Sequence, residues 1–185
     1  MVTPQQVISR RLSDATLKYL SGFASACAIG GRSQVRDDAD RQATLQDDQL
    51  IGIIGHYVGS HWLRGDATVF QTARWYANIY PLAGDGGSDV PGANIDFKAS
   101  RMRASPDPLR YRLAVRPKER HPGMVYVLVL VSDDADGVPR HAHLVGWASE
   151  SELPSAPESS GALAGAFCLP AHQLHPLPPF QWWGA

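Results

Sequence analysis

Two acids and one lysine in a short stretch of the sequence have the types and spacing needed for chemistry on a phosphate ester. The stretch is GDGGSDVPGANIDFKAS, residues 84–100, and its last seven residues follow a Pro-Gly turn and alternate in polarity like a strand. Side chains alternate between the faces of a strand, so Asp96 and Lys98 should share one face, about 6.6 Å apart along the strand. Asp89 lies seven residues before Asp96, and a short hairpin would fold it back beside that residue.

Two carboxylates and a lysine on one sheet edge suit metal-assisted hydrolysis of a phosphodiester bond. Carboxylates hold Mg²⁺, a hard cation that takes oxygen ligands at about 2.1 Å and keeps several waters. The cation polarises the phosphate and activates a water, and the lysine can orient that water or stabilise developing charge. The alternative is a solvated Asp–Lys ion pair that contributes about 0–1 kcal/mol. Asp85 competes with Asp89 for the first acidic position, but its place among glycines makes it the poorer candidate.

Helices are predicted to precede this stretch. Apolar residues recur at helical spacing over residues 3–28, and more clearly over residues 50–65, which form the best amphipathic pattern in the chain. The polar stretch 32–48 could be a linker or the exposed start of the second helix. A third helix is predicted over residues 67–80, where Pro81 ends it.

After the candidate site the chain is predicted to form strands. They cover residues 94–100, 111–115, 124–132 and 142–147, with a short fifth strand near 166–169. The third of these is apolar without alternation, which indicates a central strand with both faces covered. Helices followed by strands predict an α/β or α+β fold with a mixed central sheet flanked by helices.

The arrangement Asp-x6-Asp-x-Lys after a helix, followed by strands, resembles the PD-(D/E)XK superfamily of restriction-endonuclease-like nucleases, in particular its small bacterial and phage members. The likeness spans roughly residues 50–178. Outside the triad it is carried by residues 52–65, 111–115, 124–132, 143–153 and 166–177. The resemblance implies a restriction-endonuclease-like domain over residues 49–185, preceded by a helical extension or linker over residues 1–48.

The resemblance also implies roles for individual residues. Asp89 matches the first metal-binding aspartate, Asp96 the second acid and Lys98 the catalytic lysine, with Mg²⁺ or Mn²⁺ as the cofactor and DNA as the substrate. Where related sequences often place a glutamate on the first helix, this chain has His56, a further candidate metal ligand. Cutting both strands of a duplex would most simply need a homodimer with one active site per strand.

A local basic patch favours a substrate that carries phosphates. Residues 98–120 contain eight basic residues and two acidic ones, a net charge of +6 in a chain whose net charge is −1. Arg101, Arg103, Arg110 and Arg112 are the candidate DNA contacts, since phosphate binding needs such local charge. The alternative is that these arginines only keep the sheet surface hydrated.

Composition limits the remaining function classes. A chain of 185 residues with 44% hydrophobic residues and a net charge of −1 is neither disordered nor a globally basic nucleic-acid coat. Its longest apolar run, residues 124–131, is too short to cross a bilayer, and the first residues lack an apolar signal core, so we expect a soluble, cytoplasmic protein. Besides a DNA endonuclease, two alternatives stay open. One is a non-catalytic DNA-binding or protein-interaction module on the same fold, and the other is a nuclease specific for RNA or for junctions.

Overall fold

The computed structural model describes residues 1–29, 39–64, 89–90, 93–103 and 105–178. Within these ranges the chain forms two helices, α1 (Asp14–Ile29) and α2 (Ala39–Arg64). The strands of the same ranges are β1 (Ile8–Arg11), β2 (Ile95–Arg101), β3 (Arg112–Val115), β4 (Val125–Asp133), β5 (Pro139–Ser149) and β6 (Phe167–Pro170). The predicted third helix and Asp85 lie outside the described residues.

The main sheet has four strands in the order β1-β5-β4-β2. It is mixed, because β4 runs parallel to β2 and antiparallel to β5, which in turn pairs antiparallel with β1. The strands β3 and β6 form a separate antiparallel pair. The helices pack on one face of the main sheet, and the β3–β6 pair packs on the other. The described part of the chain is therefore an α+β fold with a mixed sheet, in agreement with the predicted class.

The central position of β4 explains its unbroken apolar sequence. Val127 and Val129 point to the helices, whereas Tyr126 and Leu128 point to the β3–β6 pair, and all four are buried. Because neither face of β4 meets water, the strand needs no polar residue on either side. The prediction of a central strand covered on both faces is confirmed.

Glycines on α2 bring this helix into direct contact with β2. A Cβ atom at Gly55 would lie 2.5 Å from the Cβ atom of Ala99, and one at Gly59 would lie 2.3 Å from the ring of Phe97. A Cβ atom at Gly52, on the exposed side of the same helix, would meet nothing within 4 Å. The helix therefore rests on the strand at its two inward-facing glycines, which fixes the distance between them.

The N-terminal prediction of one helix over residues 3–28 is wrong in its first part. Residues Ile8–Arg11 form β1, whose Cα partners in β5 include Leu144 for Ile8. The helix begins only at Asp14, after Ser13, whose Oγ accepts a hydrogen bond from the N–H of Thr16 at 3.1 Å. Pairing with a distant strand thus overrides the local helical pattern.

The long helix α2 extends further back than its apolar pattern indicated. It has 26 residues, and the stretch 39–48, for which the sequence allowed a linker or a helix start, forms its first turns. From position 47 onwards, where its side chains are described, its buried apolar residues include Ile51, Ile54 and Val58. Of the helices in the described ranges, none is both long and apolar enough to cross a membrane.

Candidate active site

The strand β2 places Asp96 and Lys98 on the same face, as the alternation predicts. Lys98 Nζ lies 2.7 Å from Asp96 Oδ2. The neighbouring residues Ile95 and Phe97 point the other way, into the core beneath the helices. Asp96 is 8% exposed, so this carboxylate is buried beside its lysine.

Asp89 lies beside β2, where the predicted hairpin was expected to bring it. Its backbone N–H donates to the carbonyl of Ile95 at 2.8 Å, and its Oδ2 accepts a hydrogen bond from the backbone N–H of Phe97 at 2.8 Å. A second turn contact joins the N–H of Ala93 to the carbonyl of Val90 at 3.0 Å. The carboxylate of Asp89 therefore lies along the strand that carries Asp96.

His56 reaches this group from α2. Its ring is buried, and Nδ1 lies 3.4 Å from Asp89 Oδ1. The ring also lies 6.0 Å from that of Phe97, measured between centroids. This approach depends on Gly55 and Gly59, because the helix could not otherwise come so close to β2. The structure thus brings His56, Asp89, Asp96 and Lys98 into one cluster.

A fifth member of the cluster, Glu119, is not indicated by the sequence pattern. Its Oε2 accepts a hydrogen bond from Lys98 Nζ at 2.9 Å. Glu119 ends a single-turn helix, Pro117–Glu119, between β3 and β4. No short-range spacing connects it with Lys98, which precedes it by 21 residues. The one available signal was its place as an acid inside a strongly basic stretch.

The charges of the cluster act on each other strongly. Burial, and then the negative charge of Asp89, raises the pKa of Asp96 from 3.8 to about 7, although Lys98 opposes the change. Burial alone would lower the pKa of Lys98, but the charge and hydrogen bond of Asp96, with those of Glu119, raise it. Burial would raise the pKa of Glu119, and its bond to Lys98 reverses this and lowers the pKa. Lys98 is therefore an ammonium, and one such charge does not fully compensate the acids around it.

The donor set suits a cation that needs few protein ligands. Asp89 and Asp96 offer hard carboxylate oxygens, and burial together with the charge of Asp89 raises the pKa of Asp96, so a cation bound there would stabilise its ionised form. Mg²⁺ and Mn²⁺ accept one or two carboxylates and complete their coordination with water and substrate oxygens. Among the described residues, no three His, Cys, Asp or Glu side chains could together hold a metal ion. His56 thus does not join the two acids as a third ligand, and it contacts Asp89 instead.

A cleft of about 780 Å³ opens beside Lys98. Its lining includes Arg116 and Lys118, both exposed, and the segment 162–166, which is small-sided apart from Leu163. Lys98 and Glu119 also line it. Two members of the cluster and two exposed cations therefore border the cleft, whereas Asp89, Asp96 and His56 are not among its lining residues.

The four arginines predicted to contact DNA do not line this cleft. Arg101 already has partners: its side chain is 16% exposed and pairs with Asp133 at 2.7 Å and also with Asp47. It fastens the end of β2 to neighbouring elements. The other three are exposed: Arg103 lies 3.5 Å from Asp47, Arg112 pairs with Glu158, and Arg110 is on a turn before β3. The basic residues of the stretch 98–120 that line the cleft are Lys98, Arg116 and Lys118.

The chain was also compared with known proteins. No family model matches it, and neither a curated protein nor a solved structure does. Its chemistry must therefore be inferred from the cluster and the cleft themselves.

Proposed function

We propose that the protein is a metal-dependent endonuclease with a restriction-endonuclease-like fold of the PD-(D/E)XK superfamily, which hydrolyses DNA phosphodiester bonds. The observation that carries the proposal is the meeting of Asp89, Asp96 and Lys98 at β2. Lys98 and Asp96 are 2.7 Å apart, and Asp89 is bonded to the same strand. The mixed sheet with helices on one face is compatible with the α/β class to which this fold belongs.

Each side chain has a role that its position supports. Mg²⁺ or Mn²⁺ would polarise the scissile phosphate and lower the pKa of an attacking water. Asp89 and Asp96 supply the carboxylates that would hold the cation. Lys98, an ammonium that lines the cleft, would orient the water and stabilise charge developing on the phosphate. His56 fixes the orientation of the Asp89 carboxylate.

A cleavage assay tests the proposal. Plasmid and oligonucleotide DNA are incubated with the full chain and Mg²⁺, Mn²⁺ or EDTA, beside the variants Lys98→Ala and Lys18→Ala. We expect metal-dependent cutting, a loss of about 100-fold or more in Lys98→Ala from losing one charge-stabilising donor, and no change in Lys18→Ala. The control removes the same charge from the exposed surface of α1. Cutting by Lys98→Ala at the rate of the unmodified protein would contradict the assignment.

The same assay separates the substrate classes. Single-stranded RNA and a four-way DNA junction are added as substrates, because the proposed roles of the cluster concern the phosphate and do not select a particular sugar or base. Conversion of supercoiled plasmid directly to linear DNA would indicate a two-fold dimer acting on both strands, whereas nicking alone would indicate independent active sites.

The two exposed cations in the lining of the cleft, Arg116 and Lys118, lead to a separate prediction about affinity for DNA. Lys118→Ala and Arg116→Ala should each weaken DNA binding and lower the slope of log affinity against log salt by about one. Lys18→Ala, remote from the cleft, should leave that slope unchanged. Fluorescence anisotropy of a labelled duplex, titrated in EDTA at several NaCl concentrations, measures both quantities. Equal slopes for Lys118→Ala and Lys18→Ala would show that the cleft does not hold the backbone.

A non-catalytic DNA-binding module is the second candidate, and one observation favours it. Lys98 is bonded to both Asp96 and Glu119, so two carboxylates already take up its charge. If the pure protein binds DNA in the anisotropy experiment and cuts no nucleic acid with either metal, this alternative replaces the endonuclease.

A further inference from the structure

We infer that Glu119 is a positioning residue for Lys98, which keeps the ammonium directed at the cleft once Asp96 engages a cation. The inference rests on the proposed nuclease function, and it adds a residue that the Asp–Asp–Lys pattern does not contain. Glu119 acts through Lys98 and is not itself a catalytic residue.

The geometry of the lysine supports this role. Lys98 Nζ lies 2.7 Å from Asp96 Oδ2 and 2.9 Å from Glu119 Oε2. An ammonium has three N–H donors, so the two carboxylates leave one donor for a water or a phosphate oxygen in the cleft that Lys98 lines. Two anchors define the direction of that third donor, whereas one anchor would let the ammonium rotate.

The contact with Glu119 matters because Asp96, the other partner of Lys98, is also a proposed cation ligand. When Asp96 shares its negative charge with a divalent cation, it attracts Lys98 less, and the cation repels the ammonium. Lysine has a flexible four-carbon stem and would then turn towards solvent. Glu119 approaches from a different element and is not one of the proposed cation ligands. Its attraction for Lys98 is therefore retained.

Glu119 is itself held in place by the core. The hydroxyl of Tyr126, a fully buried residue of β4, donates to the carbonyl of Glu119 at 2.8 Å and accepts from the N–H of His121 at 3.0 Å. The segment Pro117–Glu119 is thereby fixed to the strand that neighbours β2. An anchor on a mobile loop could not position a lysine, but this one is bonded to the sheet.

The first test measures the ammonium directly and needs no enzymatic activity. The chain has three lysines, and the other two, Lys18 and Lys118, are exposed. Nitrogen-15 NMR of the lysine ammonium groups at neutral pH should therefore show one slowly exchanging signal, which Lys98→Arg removes. We expect that signal to broaden or vanish in Glu119→Ala and to persist in Glu158→Ala, whose carboxylate pairs with Arg112. An unchanged Lys98 signal in Glu119→Ala would overturn the inference.

The second test separates positioning from binding and from folding. In Glu119→Ala we expect kcat to fall about 10- to 100-fold, as for loss of an orienting partner, with KM for DNA unchanged. Glu119→Gln keeps an oxygen that accepts from Lys98 and should restore most of kcat. Thermal midpoints within about 2 °C of the unmodified protein show that the variants fold.

The two tests distinguish failure of this inference from failure of the proposed function. Full activity in Glu119→Ala, or a rise in KM alone, overturns the positioning role while leaving the nuclease intact. If the unmodified protein cuts nothing, the nuclease proposal fails, and with it the catalytic consequence of the Glu119 contact. The NMR result then decides whether the contact itself exists in solution.

Discussion

Asp96→Asn is expected to abolish DNA cleavage and, at pH 8, to make the protein more stable. The loss of activity follows from removing the charge of one of two proposed cation ligands, for which we expect a decrease of about 10³-fold or more. The gain in stability follows from the pKa of Asp96, which burial and then the charge of Asp89 raise to about 7. Asparagine has nearly the same shape, still offers an oxygen to Lys98, and carries no charge to bury.

The pH dependence of this gain has a definite sign. The pKa of Asp96 is about 7 in the folded protein, against 3.8 ordinarily, so the folded state holds the proton more tightly than the unfolded state does. The free energy of unfolding therefore falls as the pH rises from about 4 to 7. Above pH 7, where Asp96 is ionised in both states, the destabilisation reaches its full value. At pH 8 it is about 2–4 kcal/mol, which asparagine removes. At pH 4 the protonated Asp96 and the substituted asparagine are both neutral in the folded state, so most of the stability difference between the two proteins disappears.

Thermal unfolding at pH 8 and at about pH 4 measures this difference. For a domain of this size we expect Asp96→Asn to raise the midpoint by about 5–10 °C at pH 8. Asp134→Asn is the control, and it should lower the midpoint at pH 8. Its hydrogen bond with Arg140 and those with backbone N–H groups lower the pKa of Asp134, so the ionised form of this residue stabilises the fold. A midpoint for Asp96→Asn at or below that of the unmodified protein at pH 8 would show that Asp96 is not under this electrostatic strain.

Gly55→Ala is expected to damage both stability and activity, although alanine favours helices. The new Cβ atom would lie 2.5 Å from the Cβ atom of Ala99. That atom is attached directly to the backbone of β2, so the strand itself must shift by about 1 Å to restore a normal carbon–carbon contact. Overpacking at a rigid site costs about 3 kcal/mol. Because alanine has a higher helix propensity than glycine by about 1 kcal/mol, the free energy of unfolding should fall by about 2 kcal/mol in total.

The effect on activity should exceed the effect on stability. A displacement of about 1 Å in a strand that carries Asp96 and Lys98 is expected to reduce cleavage about 100-fold. The matched control is Gly52→Ala on the exposed side of the same helix, where a Cβ atom meets nothing within 4 Å. The free energy of unfolding of that variant should rise by about 1 kcal/mol, and its activity should be unchanged. Urea unfolding and the plasmid assay provide the measurements, and equal behaviour of the two alanine variants would refute the proposed helix–strand contact.

The sequence predicted those parts of the fold in which local pattern and final environment agree. The alternation in β2 placed Asp96 and Lys98 on one face, and the unbroken apolar run of β4 indicated a central strand. The prediction from the sequence was wrong for β1. The strand Ile8–Arg11 has four residues and is polar except for Ile8, and it is stabilised by β5, which lies more than a hundred residues later. A periodicity that continues into α1 hid so short a strand.

Long-range contacts also explain which features of the candidate site the sequence did not indicate. Glu119 meets Lys98 only because the chain returns through β3 before entering β4, and no local spacing records that path. Arg101 follows the lysine on the same strand and was a reasonable candidate for a phosphate contact. Its charge is instead taken up by Asp47 and Asp133, from α2 and β4. Net charge along the sequence identifies a basic region, but only the fold decides which of its members are available to a substrate.

The hydrogen bonds of Asp89 have a consequence for evolution within any group of related chains. Its N–H bonds to β2 as almost any residue's would, but its carboxylate also accepts from the backbone of β2, and that side-chain bond gives position 89 a structural role separate from any catalysis. Ionised Asp96 destabilises the fold and offers no such structural return. Under the proposed nuclease function, a lineage that abandoned cleavage would therefore retain position 89 and gain stability by replacing position 96. Under that proposal, the residue at position 96 is the better marker of chains that remain under selection for cleavage.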